Sequence, residues 1–295
     1  MKTTTLTVFF ALFCAVFPVS AQDSDTREGG LTGTGIVGII TKLGSFFVNN
    51  QRVTYAPDTS VQSVLGELPA GALVPGDTVA TQVVRVGESW VARDIRQIHP
   101  IIGPISARSG DFLTIMGTKV DLTDVDTPDL NLGDWVAISG LWRENEIAAS
   151  RVKVIPAQQQ GTILGSFLDT SENASFMMGG SRVSGIAPRH ATFGDVLQAS
   201  GTPQPTGLEA KVIKLGLFDV DIGIVLVQGH LSQPTAAGQY TVLGGGLTSF
   251  TEQPEMIAPD QRVMSCGADG LILSKSMVQQ TTLSDQLGIL GCTRP

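Results

Sequence analysis

One block of residues is written three times along this chain, and a repeat of that kind constrains the fold more than any other feature. Each copy runs Gly-x-Ile, then Phe, then a basic residue and Val, then Gly-Asp, then Ala-x-x-aliphatic-basic. The first copy is Gly38, Ile40, Phe47, Arg52-Val53, Gly76-Asp77, Ala92, Ile95 and Arg96. The second is Gly103, Ile105, Phe112, Lys119-Val120, Gly133-Asp134, Ala149, Val152 and Lys153. The third is Gly161, Ile163, Phe176, Arg182-Val183, Gly194-Asp195, Ala210, Ile213 and Lys214. From Gly to Ala the step is 16 in every copy: 76 to 92, 133 to 149, 194 to 210. Self-similarity at this spacing means one supersecondary unit used repeatedly. Shared positions of this type report packing, so they place no chemistry.

The texture between those positions is β. Runs such as IVGIIT, FFVNN, DTVATQVVRV and WVARDIRQI are rich in β-branched and aromatic residues and are broken by turn residues. Gly-x-Ile opens a first strand and Phe a second. A tight turn follows at Asn49-Asn50, Met116-Gly117 or Gly179-Gly180, residue types that tolerate the positive φ of hairpins. Gly-Asp then enters a fourth strand, and Ala-x-x-aliphatic lies in the closing one. Five short strands in about 55–70 residues is the size of a small barrel. The expected fold is therefore all-β: tandem small OB-like or Greek-key barrels at 33–100, 101–157 and 158–231, then a disulfide-tied, β-rich C-terminal appendage at 232–295. Within that appendage a hairpin is expected around Gly267–Gly270. A helical turn capped by Ser284-Asp285 is expected to end at Gly291.

At this level of detail the chain resembles the DUF5666 family, small OB-like β-barrel domains of exported bacterial proteins. GTGIVGIITKLGSFFVNNQRV is similar to the family's opening, and DLNLGDWVAISGLWRENEIAASRVKVI to its closing half, where LxxGDxVxVxG leads to AxxV. The resemblance covers 33–231 as three tandem copies. Copy one departs where Val83 stands in place of Gly140 and Gly201, and copy three where Thr202-Pro203-Gln204-Pro205 replaces a charged turn. A family named for its unknown function implies a fold and a compartment, and no catalytic residues.

The N-terminus agrees with export. Lys2, the apolar run Leu6 to Val19 and the small residues Val19-Ser20-Ala21 form the three parts of a secretory signal peptide, cut after Ala21, with 22–32 as a linker. The run is shorter than the ~20 residues of a spanning helix, and no later segment is long and apolar enough to span. The expected location is the periplasm, cell surface or extracellular space. Of the 3 cysteines, Cys266 and Cys292 remain after cleavage. In an oxidising compartment the simplest reading is one disulfide, and the alternative is two separate buried thiols.

Motifs with chemistry are few. Gly33-x-Gly35-x-x-Gly38 imitates a dinucleotide fingerprint, but a polar linker precedes it and a β-run follows, so no helix dipole meets a pyrophosphate and no cofactor is expected. Asp121, Asp124, Asp126 and Asp129 crowd one loop; Asp124, Asp126 and Asp129 are weak calcium candidates, set against solvated turn aspartates. His99, His190 and His230 lie beside no nucleophile motif, so no catalytic residue is assigned. Trp135 and Trp142 are candidate binding aromatics, with core filling as the alternative. A net charge of −8 opposes nucleic acid, because repulsion replaces counterion release. The expected function is a non-catalytic exported binding or scaffold protein whose partner is an envelope protein or a glycan. The alternatives are a hydrolase with a composite site between barrels and, disfavoured by charge, a nucleic-acid-binding OB protein.

Overall fold

The computed structural model describes residues 33–171, 174–259, 261–280 and 284–292. The expected signal peptide and linker lie outside the described residues. Barrel one is built from β1 (Gly33–Lys42), β2 (Phe46–Val48), β3 (Gln51–Thr54), the short hairpin β4 (Ser60–Val61) and β5 (Leu68–Pro69), then β6 (Thr78–Val86) and β7 (Ser89–Ile98). Barrel two is β8 (Ile101–Ser109), β9 (Phe112–Ile115), β10 (Thr118–Asp121), β11 (Trp135–Arg143) and β12 (Glu146–Ile155). Barrel three is β13 (Gly161–Ser171), β14 (Ser175–Met178), β15 (Ser181–Ser184), β16 (Val196–Gln204) and β17 (Gly207–Leu215). The C-terminal part holds β18 (Ile222–His230), β19 (Gln239–Val242), β20 (Leu247–Phe250), β21 (Arg262–Ala268), β22 (Leu271–Ile272), α1 (Lys275–Gln280) and α2 (Ser284–Ile289).

The three barrels close in the same way. A first strand pairs antiparallel with the second and the fourth, the second with the third, and the fifth runs antiparallel to the fourth and parallel to the third. Closure gives every strand of the ring a partner on both sides over part of its length.

Gly-Asp has a specific task in that closure. Gly133 N–H donates to the carbonyl of Ile105 at 2.8 Å, and Ile105 N–H donates to the carbonyl of Asp134 at 2.9 Å. Gly76-Asp77 makes the same pair with Ile40, and Gly194-Asp195 with Phe167. The glycines sit at φ 93, 88 and 91°, a region where a Cβ is strained. The Asp carboxylate accepts the backbone N–H three residues back: Val74 at 3.0 Å, Asn131 at 2.8 Å, Thr192 at 2.7 Å. This local bond folds the turn that feeds the fourth strand.

Those bonds also correct the expected register. Phe167 is the partner in barrel three, so Gly165 and Phe167 match Gly38-x-Ile40, and Gly161 and Ile163 lie four residues upstream. On the second strands Phe46, Leu113 and Phe176 face Val53, Val120 and Val183, and all three are buried. Phe47 and Phe112 are half-buried neighbours. A one-residue slip on a strand exchanges the faces; the expected Phe is the outward neighbour in copies one and two, and the inward residue, Phe176, in copy three.

A second correction concerns 222–230, expected inside the third unit. Each first strand is longer than the second strand covers, so its opening half keeps one free edge. Barrels two and three cover theirs mutually, with β8 against β13 at Ile102↔Thr162 and Ile101↔Ile163. β1 has no such neighbour, and β18 pairs parallel along Thr34–Val37 instead. The rest of the C-terminal part builds outward from β18 through β21, β22, β20 and β19. The hairpin forms at β21–β22, α2 starts at Ser284, and α1 is an addition that the sequence reading lacked. Cys266 and Cys292 form the disulfide, with Cα atoms 5.8 Å apart.

Barrels two and three share one continuous core that includes Ile138, Trp142, Ile163 and Phe176. Barrel one has its own core, into which Leu287 and Leu290 descend. A third cluster, with Val37, Ile98, Leu164, Val196, Val227 and Leu247, fills the space where barrels one and three and the C-terminal sheet meet. Among the described residues no helix is long and apolar enough to cross a membrane.

Candidate functional site

The chemistry-bearing side chains collect at the seams between barrels. At the junction of barrels two and three, Trp142 is 1 % exposed. Its indole Nε1 donates to the carbonyl of Leu164 at 2.6 Å, and His230 Nδ1 donates to the Trp142 carbonyl at 2.9 Å. The ring lies over Gly179, where an added Cβ would stand 2.5 to 2.8 Å from its atoms. Equivalent turn positions in the other barrels carry side chains. Asn49 donates to the carbonyls of Val37 at 2.8 Å and Leu226 at 3.2 Å, and Met116 packs on Gly103 and Gly161. Glycine at 179 vacates that place, and a tryptophan from the neighbouring barrel takes it. Trp142 is therefore not an exposed binding aromatic: barrel three and β18 cover it, which the strand pattern of β11 alone does not reveal. Trp135, at the other end of β11, is half-buried against Ile102, Ala137 and Ile155.

The seam of barrels one and two is polar. Asp77, 1 % exposed, pairs with Arg151 at 2.5 Å. Ser150 Oγ donates to the Gly76 carbonyl at 2.6 Å, and Gly140 N–H to Thr78 Oγ1 at 2.8 Å. His99 lies in the same seam, 4 % exposed, with Nδ1 3.3 Å from the Ile138 carbonyl. A carbonyl only accepts, so Nδ1 carries the proton, and Nε2 is a buried acceptor without a hydrogen-bond partner. Burial pushes the His99 pKa down from 6.5 to about 4; the Ile138 bond and Asp77 oppose this, while Lys153 and Arg151 add to it.

The sign of the pH effect follows. Between pH 6.5 and about 4 the unfolded chain binds a proton at this position that the folded chain refuses, so stability falls as pH falls through that window. The full loss is about 3 kcal/mol, from ~1.4 kcal/mol per pKa unit. Urea midpoints from pH 7.5 to 4.5 should fall more steeply for the native chain than for His99→Gln. Equal slopes would remove His99 as the cause.

The remaining site candidates separate. Asp121 is held by Arg143 at 2.9 Å and by Thr123. Burial raises its carboxyl pKa, but these hydrogen bonds outweigh that and hold it below the usual range. Asp124, Asp126 and Asp129 stand exposed around it. No group of three or more His, Cys, Asp or Glu among the described residues is placed to hold a metal ion. His190 is exposed in the loop before Gly194.

One feature the sequence reading missed is a groove between barrels one and three. It consists of two cavities, about 210 Å³ and about 490 Å³, both lined by Val64. No motif marks it, because its residues come from five separate stretches of chain. A small apolar cavity of about 200 Å³ under Phe218 and Leu247, and a larger one of about 680 Å³ beside the disulfide, lie elsewhere.

Residues 102–153 match the family model described as "Domain of unknown function (DUF5666)". The matched stretch coincides with barrel two, from β8 to β12. No curated protein and no solved structure matches the chain.

Proposed function

We propose that this chain is an exported, non-catalytic binding or scaffold protein built on three tandem DUF5666 domains, acting on an envelope protein or glycan at the periplasm or cell surface. The tandem reading is supported by barrels one and three, which repeat the strand order and the Gly-Asp closure of the barrel that matches the family. Export is supported by the signal-like N-terminus and by the cystine. The observation that carries the non-catalytic reading is the use made of two histidines. His99 and His230 both hold a backbone carbonyl across a seam, at 3.3 and 2.9 Å. Asp77, the carboxylate at the His99 seam, is paired with Arg151. A general base must reach a nucleophile or water, and these rings act as braces.

The test is affinity capture by the mature protein, residues 22–295, from its native envelope fraction, with envelope glycans as a parallel bait. Saturable retention of a defined protein or glycan is expected. Retention of neither, or hydrolysis of a generic ester, peptide or glycoside panel that is lost in His99→Gln or His190→Gln, overturns the reading.

A further inference from the structure

The groove between barrels one and three has the surface chemistry of a neutral, hydroxyl-rich ligand. Its floor is the outer face of barrel three, where Thr162 and Leu164 of β13 lie directly opposite Ser200 and Gln198 of β16. Residues two apart on a strand share a face, so these four form one patch. The roof is the loop of barrel one that carries Val64 and Leu65, which are 44 % and 36 % exposed. That loop is pinned to β7 by Gln62 N–H to the Ile95 carbonyl and Gln97 N–H to the Gln62 carbonyl, both at 2.9 Å. A pinned loop over a sheet face makes a preformed slot.

Side-chain amides dominate the polar lining. Gln62, Gln97 and Gln198 line one cavity, and Gln158, Gln159 and Gln160 line the other, with Ser63, Thr162 and Ser200 adding hydroxyls. Each amide presents a donor and an acceptor side by side, the complement of a hydroxyl that both donates and accepts. The ions at one end balance: Arg96 is paired with Asp94 at 3.1 Å and with Asp219, and Lys214 adds the second positive charge facing Asp219. The other cavity has no charged residue in its lining. Ile102, which lines that cavity, also belongs to the small apolar cluster against which the half-buried Trp135 packs. An aromatic with an apolar body and a polar edge suits the C–H face of a sugar ring. The combined space falls within the roughly 300–1,000 Å³ of ordinary ligand sites.

We propose that this groove binds a neutral oligosaccharide, with the glutamine amides reading its hydroxyls and Trp135 near one end. The assignment rests on the binding-protein reading above and names its ligand class. An extended peptide fits less well, because the floor is a sheet face whose backbone groups are already paired between β13 and β16, so no strand edge is offered. An anionic polymer would meet a chain of net charge −8 and no net positive charge at this end of the groove, where Arg96 and Lys214 face Asp94 and Asp219.

The experiment is calorimetric titration of the mature protein with linear neutral hexasaccharides (cellohexaose, maltohexaose and fully N-acetylated chitohexaose), with tryptophan fluorescence as a second readout. At least one should bind saturably and shift the emission. Gln159→Ala and Gln198→Ala should each weaken it roughly three- to tenfold, the effect of one lost hydrogen bond. Val64→Asp in the roof should also weaken it, while Ile186→Ala, an exposed site outside the groove, should leave it unchanged. No saturable binding by any of the three, or binding indifferent to both glutamine substitutions, overturns the assignment. Envelope capture separates the two failures: a specific protein retained without glycan sinks this groove assignment alone, and nothing retained sinks the binding reading with it.

Discussion

Trp142→Ala is expected to lower the melting temperature by about 10 °C. The residue is the largest side chain with under 2 % exposure, and it joins barrel two to barrel three and β18. Removing a buried tryptophan costs about 3–5 kcal/mol in lost transfer energy and cavity formation, and in a chain of this size each kcal/mol moves the midpoint by ~2–4 °C. Collapse cannot refill the space cheaply, because one wall is backbone: Gly165 and Gly179 have no side chains to swing in. Trp142→Phe should recover part of the loss while leaving the Leu164 carbonyl without its donor. Gly179→Ala approaches the same contact from the other side. It places a Cβ inside the ring's van der Waals radius on a residue at φ 56°, so it too should destabilise, by about 1–3 kcal/mol for overpacking alone. Scanning calorimetry of the three variants decides the matter. A Trp142→Ala midpoint within 2 °C of the native chain would mean that the seam contributes little.

Reduction of Cys266–Cys292 is expected to remove about 3–4 kcal/mol. The bond closes a loop with a sequence separation of 26, and the chain-entropy relation gives a value of that size. The loop's far end holds more than a crosslink. Leu287 and Leu290 are buried in the barrel-one core at 0 % and 2 % exposure, and Gln51 Nε2 donates to the Leu290 carbonyl at 3.1 Å. Untying Cys292 lets this plug fray, and each exposed leucine forfeits roughly 1.5–3 kcal/mol of burial. Urea unfolding with and without reductant should therefore differ in midpoint. Hydrogen exchange in the reduced protein should rise first in α2 and in the β2–β3 turn that Gln51 follows. An unchanged midpoint after mass-confirmed gain of two hydrogens would show that the bond is dispensable.

Much of this was legible from residues alone. The five-strand unit, the hairpin turns, the Gly-Asp entry and the cystine are all written locally, in turn chemistry and alternation, and the structure has each of them. The errors also have local causes. In FFVNN two adjacent aromatics compete for one inward position, and only the cross-strand pairing Phe46↔Val53 breaks the tie. In the third copy Gly161 and Gly165 are both plausible starts, and the bond from Gly194 to Phe167 selects the second.

The sequence by itself determined the repeating unit, because a strand's period and a turn's φ requirements depend on near neighbours in the chain. Tertiary structure decided what the units do to one another. The opening halves of β1, β8 and β13 each keep an edge after closure, and which strand covers each edge is settled only when all three barrels are present. β8 and β13 satisfy each other, so β1 takes β18, and the C-terminal sheet follows. That same arrangement buries Trp142, holds His99 neutral, and brings the 62–65 loop over the face of barrel three. Contacts between residues far apart in the chain have no period to betray them, which is why the groove emerges only from the packed molecule.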